Sequence, residues 1–452
     1  MIADDIAKAL KQNFKATIIG DGDLPSYFAV TELAAHSIGA VGVAIAELLM
    51  SLGLVGKVPD CTIERRLASL WFGQSIEPVN WKMPPIWDEI AGDYQAKDGW
   101  IKLHTNIDRH KKAALCVLAC QAVRSDVARV IKSWTVDDLE HEIVTAGGVA
   151  AAMRSQQEWS VHSQGIAVAS EPLIGWSQHR KKAIKPWCPS KKRPLEGLFV
   201  LDLTRVLAGP VATRTLAGFG ASVLRVDPYG WEEPNVVPDI TLGKRCTRLN
   251  LRDQTDRGIF EDLLNQAHVL VHGFRPDALE GLGYDLKARL DISPNIIEVK
   301  LNAYGWTGPW RLRRGFDSLV QMSSGIADAG MKWAKENKPI PLPVQALDHA
   351  TGYLMAAAIV HALNNAVSGK GIANAHLSLA RTAKLLAAYE QKGDGELCLA
   401  PQISDFSSDL EITPWGDARR LKPPIKIEGT PMEWQKPACE LGSSGAAYDS
   451  NI

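Results

Sequence analysis

Two alanine-rich apolar stretches stand 313 residues apart and share their punctuation. His36-Ser-Ile-Gly39 opens the first and His349-Ala-Thr-Gly352 the second, while Gly56-Lys57 and Gly369-Lys370 close them. A constant offset at both ends predicts two copies of one unit, each built on a long buried helix. The first stretch, residues 38–56, has the length of a membrane span. It contains Glu47 and four glycines, and an unpaired central acid is costly in lipid, so a core helix is expected and no membrane partner.

The copies differ at one position that matters chemically. Asp348 is the single acid in the run from Gln345 to Leu363, and its counterpart in the first copy is Ala35. An ionised carboxylate in apolar surroundings is costly unless it is paired, hydrogen-bonded or used. Asp348 is therefore a candidate nucleophile or base. The competing reading is a helix N-cap, with Thr351 three residues on. The two are compatible, because N–H groups at a helix start favour a charged carboxylate. His349 has a counterpart, His36, where the acid is gone, which favours packing or hydrogen bonding at the helix start for both.

Between the copies the chain changes rhythm twice. Residues 90–180 read as a small α+β unit, with a turn at Asp98-Gly99, a strand over 101–104 and helices over 111–122, 125–134 and 135–146. Residues 181–195, rich in Lys, Arg and Pro, read as a solvated linker. From Leu198, strand and helix patterns alternate: strands over 198–205, 222–226, 268–272 and 295–301, with a helix opened by Gly209-Pro210. That alternation predicts a mostly parallel, Rossmann-like sheet with flanking helices. Residues 391–452 read as an extended strap over a domain.

Loops at the carboxyl ends of such a sheet bind ligands. Thr204-Arg-Val-Leu-Ala-Gly-Pro210 offers a helix start for a phosphate, although it is not a GxGxxG fingerprint. Gly243-Lys-Arg245 and Phe274-Arg-Pro276 supply cations in loops, and Ala303-Tyr-Gly-Trp-Thr-Gly-Pro309 follows the fourth strand. Together they point to a phosphate-bearing ligand, with Arg205, Val206, Ala208, Lys244, Arg245, Arg275 and Tyr304 as its candidate contacts. Tyr304 is equally suited to the core. His268 and His272 lie four apart, about 13 Å along a strand, so no metal site is expected. A formal net charge of −1 gives no electrostatic case for nucleic acid. Seven scattered cysteines without a CxxC suit a reducing, cytoplasmic setting.

These segments also resemble a known family. Residues 195–210, Gly220-Ala-Ser-Val-Leu-Arg-Val226, Gly243-Lys-Arg245, Phe274-Arg-Pro276, 303–309 and Gly315-Phe-Asp-Ser-Leu-Val-Gln321 are similar, in order and spacing, to family III CoA-transferases, the CaiB/BaiF family. The resemblance covers roughly 195–380. It implies a CoA-binding domain over 196–390, coenzyme A as co-substrate with no permanently bound cofactor, and an interlocked homodimer. Asp348 falls on the nucleophile of the family's D-x-x-T-G-like segment. Residues 1–80 look like a degenerate copy of the acid-bearing part, so the chain resembles a truncated tandem fusion in permuted order. The implied reaction moves CoA from an acyl-CoA to a small carboxylate through an aspartyl anhydride and an aspartyl-CoA thioester. A racemase of the same superfamily carries histidine where Phe316 stands. An intramolecular CoA-transfer isomerase and a non-catalytic CoA-ester scaffold are the other readings. Asp317 is expected to be structural.

Overall fold

Short β-branched runs separated by amphipathic helices build one dominant sheet. The computed structural model describes residues 1–177, 179–391 and 399–449. The sheet's strands in chain order are β1 (Gly175–Trp176), β2 (Phe199–Leu203), β3 (Ser222–Asp227), β4 (Lys244–Arg248), β5 (Val269–His272), β6 (Ile297–Asn302) and β7 (Ala375–Ser378). Their spatial order is β4-β3-β2-β5-β6-β7-β1. All neighbours are parallel except β7 and β1. Strands buried on both faces read as continuous apolar runs, and Val269-Leu-Val-His272 is buried throughout. The chain order reverses between β2 and β5, which opens a crevice at their carboxyl ends.

Two 22-residue helices form the other half of the core. Helix α1 (Val30–Ser51) belongs to the first copy and α4 (Ala346–Val367) to the second, and they pack along each other. Each is followed by a short strand and a helix: Cys61–Glu64 and Arg65–Leu70 after α1, β7 and Leu379–Leu386 after α4. The repeat is therefore a helix–strand–helix unit. Helix α1, long and apolar enough for a membrane span, is largely buried in this fold.

Helix α2 (Ala208–Gly218) follows β2, and α3 (Asp317–Ser323) precedes α4. Where α4 crosses the start of α2, a Cβ on Gly352 would lie 2.3 Å from the Ala208 carbonyl oxygen and 2.9 Å from Val211 Cβ. Only a hydrogen fits there. Gly352→Ala is expected to cost about 1–3 kcal/mol by overpacking. It should also cut activity by roughly 10²-fold through displacement of the helix that carries Asp348. Thermal melting and steady-state rates on the same preparation check both.

The small unit is a three-stranded antiparallel sheet, Gly92–Gln95, Trp100–Leu103 and Ala150–Ala152, under helices Asp108–Leu118, Arg124–Ile131 and Val136–Thr145. Its core contains Ile101, Leu103, Val127, Ile131, Leu139 and Ile143. The unit ends near 152 rather than 180. The helix Ser163–Ser170 packs on the main body, where Gln164 Nε2 donates to the Tyr304 and Thr307 carbonyls (2.7 and 2.9 Å), and β1 joins the main sheet.

The basic segment 181–195 is solvated only in part: Lys181, Lys182, Lys191 and Lys192 are exposed, but two of its cations are not. Lys185 Nζ caps the Ala267 carbonyl (2.9 Å) and Ser293 Oγ (3.0 Å), and the buried Arg193 donates to the Glu433 and Gly218 carbonyls (2.7 and 3.2 Å). Lysine and arginine here hold carbonyls that end strands and helices, a role composition alone does not distinguish from a solvated run. The tail does run as a strap, with three short strands. Glu411–Thr413 and Gly416–Arg420 form a hairpin that pairs with Ile76–Pro78, and Ile425–Ile427 pairs with Cys61–Glu64. Cys398 lies outside the described residues.

Candidate active site

Asp348 occupies the third position of α4; Gln345, not Asp348, is the residue that precedes the helix. The cap reading of Asp348 is thereby corrected. The cap is Asp317 instead: its Oδ2 accepts the Asp348 N–H at 2.9 Å, satisfying one of the helix's free donors. Its Oδ1 accepts from Gln321 Nε2, and the Gln321 Oε1 accepts the Leu342 N–H at 2.7 Å. The Gly-Phe-Asp-Ser-Leu-Val-Gln segment thus serves to hold the start of α4.

Asp348 is 8% exposed, and among the described residues no hydrogen-bond donor reaches its carboxylate oxygens. Burial first, and then the charge of Asp317, push its carboxyl well above the usual range. Asp317 is itself raised to about 6 by burial, partly offset by the hydrogen bonds from Gln321, Asp348 and Leu347. Two carboxyls held close and dry resist ionising together.

Asp348 and Gly352 lie one turn apart, on one face of α4. Gly352 touches Ala208, so that face leans on the start of α2. The adjacent face, one residue around the helix, is closed by the first copy: Phe72 stacks on His349 (5.4 Å) and Tyr353 (6.0 Å). His349 is a core histidine, its imidazole pushed down to about 3 by burial and by the Arg214 charge. Its counterpart His36 pairs with Glu32 at 3.1 Å.

The crevice between β2 and β5 collects cations. Arg205 follows β2 and Arg275 follows β5. The Arg205 guanidinium lies 4.5 Å from the Trp231 ring and 5.3 Å from the Phe274 ring, which fixes it in place. Arg275 is more exposed, with Asp277 3.8 Å away. Two further arginines join them that sequence reading missed. Arg314 is held below its usual range by burial and by the charges of Arg275 and Arg109, and Arg109 also acts on Arg205. Arg109 comes from the small unit, so no local motif could have flagged it. Arg314 precedes the Gly315-Phe-Asp segment and could have been counted.

The other predicted contacts fare differently. Ala208 is the first residue of α2. Val206 has φ 65°, a left-handed conformation rare for a β-branched residue, and its N–H is taken by Glu233 Oε1 at 2.7 Å. That amide is not free for a phosphate. Lys244 is corrected outright. It sits in β4, not a loop, and is 1% exposed. Its ammonium donates to Asp202 Oδ2 (3.0 Å), Thr213 Oγ1 (2.6 Å) and the Pro210 carbonyl (3.0 Å). Burying a charge requires that many partners, and they pin α2 to the sheet. Arg245 lies toward the amino end of the edge strand, 3.7 Å from Asp449 of the strap. Tyr304 is core, 1% exposed, with its hydroxyl 3.2 Å from Ser323 Oγ and its ring against Trp310. Of the seven candidates, Arg205, Ala208 and Arg275 meet at the crevice.

The site joins a mostly parallel sheet, arginines at its switch point and a buried carboxylate on the helix that leans on it. Residues 195–392 match the model of CoA-transferase family III. That part of the chain contains β2 to β7 and Asp348, and it is similar to the family III CoA-transferases. The chain is 36% identical over 200 residues to an acetyl-coenzyme A transferase of Hypoxylon pulicicidum, covering 43% of this chain and 33% of that one. It is 25% identical over 364 residues to an acyl-CoA transferase of Gibberella moniliformis (73% and 63%) and 31% identical over 194 residues to the human succinyl-CoA:glutarate CoA-transferase (40% and 44%). The chain thus spans from a third to under two-thirds of these relatives' lengths. A crystal structure of a CaiB/BaiF family protein from Brucella suis matches 44% of this chain and 56% of that one at 28% identity and TM-score 0.39.

Proposed function

We propose that this chain is an acyl-CoA:carboxylate CoA-transferase whose nucleophile is Asp348. The observation that carries the reading is the position of that carboxylate: buried, without a hydrogen-bond donor, and on the helix face that leans on the switch-point helix of a family III-like domain. The relatives that match the chain bear CoA-transferase names, which supports the same chemistry.

In this mechanism the phosphates of CoA sit at the crevice against Arg205, Arg275, Arg314 and Arg109. Arginine forks suit phosphate oxygens, and the start of α2 adds its positive end. The ionised Asp348 attacks the thioester carbonyl; an oxygen–carbon bond forms and the carbon–sulfur bond breaks, giving a mixed anhydride and CoA thiolate. The thiolate then attacks the aspartyl carbonyl, releasing the first carboxylate and leaving an aspartyl-CoA thioester. An incoming carboxylate attacks that thioester, expelling the thiolate and forming a second mixed anhydride; the thiolate then attacks the new acyl carbonyl, and the Asp348 carboxylate leaves. A poorly solvated carboxylate is a stronger nucleophile than one in water, and its acyl derivatives stay electrophilic. Phe316 has no proton to move, and its ring is stacked at 3.9 Å on His104, which favours transfer over epimerisation. The same reading has the chain acting as a cytoplasmic homodimer.

The test is CoA exchange between a panel of acyl-CoAs, beginning with acetyl- and succinyl-CoA, and free mono- and dicarboxylates. Hydroxylamine added during turnover should convert Asp348 to its hydroxamate. Exchange with the label on another residue, or no exchange with any donor, overturns the proposal.

A further inference from the structure

We propose that Cys246 and Cys439 form a modification site: a paired thiol that a hydroperoxide oxidises to an intramolecular disulfide, clasping the C-terminal strap to the edge of the main sheet. The proposal is independent of the transferase reading. Strand β4 is the sheet's edge, and an edge strand presents unpaired N–H and C=O groups. The strap covers it. The Gly243 N–H donates to the Lys436 carbonyl (3.1 Å) and the Ser444 N–H to the Cys246 carbonyl (2.8 Å). Between those two points the Cys439 N–H donates to Thr241 Oγ1 (3.0 Å), and Cys439 Sγ lies 3.5 Å from the Lys244 carbonyl oxygen. Lys244 and Cys246 alternate along β4 with one residue between them, so their side chains share a face. Cys439 Sγ reaches β4 within two residues of Cys246, and each thiol lies near enough to perturb the other.

The two sulfurs are unequal in a way that suits stepwise oxidation. Cys246 is fully buried, whereas Cys439 is partly exposed. The Cys439 thiol is lowered to about 7 by the Cys246 S–H, by Ser443 and by the nearby Lys244 and Arg225 charges. Cys246 is pushed up by Cys439 and by burial. The outer sulfur is therefore the thiolate, and the inner one is the resolving thiol. Cys439 sulfur bonds to one oxygen of hydrogen peroxide as the O–O bond breaks, and hydroxide leaves and takes up a proton. The Cys246 sulfur then bonds to the Cys439 sulfur as the S–O bond breaks, and water leaves with the remaining proton. Two thiols are oxidised and one peroxide is reduced to two waters.

Reduced full-length protein, titrated with hydrogen peroxide at neutral pH, alkylated and digested without reductant, should yield one dominant cross-linked species joining the peptides of Cys246 and Cys439. Its mass should be two hydrogens below the sum of the reduced peptides. Oxidised wild type should melt higher than reduced wild type, and Cys439→Ser should abolish both the link and the shift. In Cys246→Ser, Cys439 should stop at the sulfenic acid and take up dimedone before the exposed Cys116 and Cys188 react. A dominant link to Cys398 or any other cysteine, or oxidation of Cys116 and Cys188 ahead of Cys439, overturns the proposal. The wild-type mapping decides the matter even where a serine variant fails to fold.

Discussion

Asp348→Asn should lower CoA transfer by roughly four orders of magnitude or more, the size of effect seen when a covalent nucleophile is removed. The amide is the same shape as the acid, and the Asp348 backbone N–H still reaches Asp317, so α4 keeps its start. CoA affinity should be unchanged, because the crevice arginines are untouched; calorimetric titration with CoA checks this. The hydroxylamine label should vanish with the rate. Residual transfer near the wild-type rate would remove Asp348 from the mechanism.

The same site predicts an acid limb. A carboxylate nucleophile attacks only when ionised, and burial and Asp317 hold Asp348 well above the usual carboxylate range. kcat/KM should therefore fall with decreasing pH at values where ordinary carboxylates are still charged. Asp317→Asn keeps an oxygen for the Asp348 N–H but removes the second cause of the shift, so the limb should move to lower pH. An unmoved limb would show that Asp317 does not act on Asp348 through charge. For stability the sign is opposite to that of a salt-bridged acid. Both carboxyls are raised in the folded state, so their contribution is full below the unfolded value of about 4 and is lost as pH rises through about 6, the Asp317 value.

The largest stability effect is expected at Asp239. Its Oδ1 meets Arg214 (2.9 Å), Arg420 (3.2 Å) and the Ser75 N–H (3.1 Å), all out of water. Ser75 belongs to the first copy, Arg214 to α2 and Arg420 to the tail, so one carboxylate joins three distant segments. Burial alone would raise this acid; Arg214 and Arg420 instead hold it below its usual range. Asp239→Ala leaves Arg214 buried without a counter-charge under the Trp71 ring. Removing one partner of a buried pair costs about 3–5 kcal/mol. For a chain of this size the apparent Tm should fall by roughly 5 °C. Hydrogen exchange should rise first in the strands over 61–64, 411–420 and 425–427. Because the Asp239 value is depressed, this stabilisation is present above the usual carboxylate range and is lost as pH falls through it. A Tm within 1–2 °C of wild type would show that the cluster contributes little.

Much of the framework was legible in the sequence. Strands β2, β3, β5 and β6 stand as apolar runs bounded by turn residues, and the repeat was visible because two long helices share their start and stop signals. Arg205, Ala208 and Arg275 could be placed together because loops after parallel strands converge at one edge. Strand β4 was missed because Lys244-Arg-Cys-Thr-Arg248 is polar in composition; its lysine is neutralised by Asp202 of β2, two strands away in the same sheet, which no local pattern reveals. Strand β7 was missed because its four residues lie between helices. Arg109 was missed because it reaches the crevice from a different unit.

The sequence by itself determined the alternation that yields a parallel sheet, the two long helices, and the acid that stands in one copy only. Those are properties of period and residue type, and they act over one element at a time. The tertiary structure decided which charges are locked inside the fold and which stand at the crevice. Lys244 and Arg205 look alike in a loop of text, yet one is locked to Asp202 beneath α2 and the other lies on a tryptophan at the crevice. A charge's fate depends on how much water and how many opposite charges surround it, and residues far away in the chain supply both.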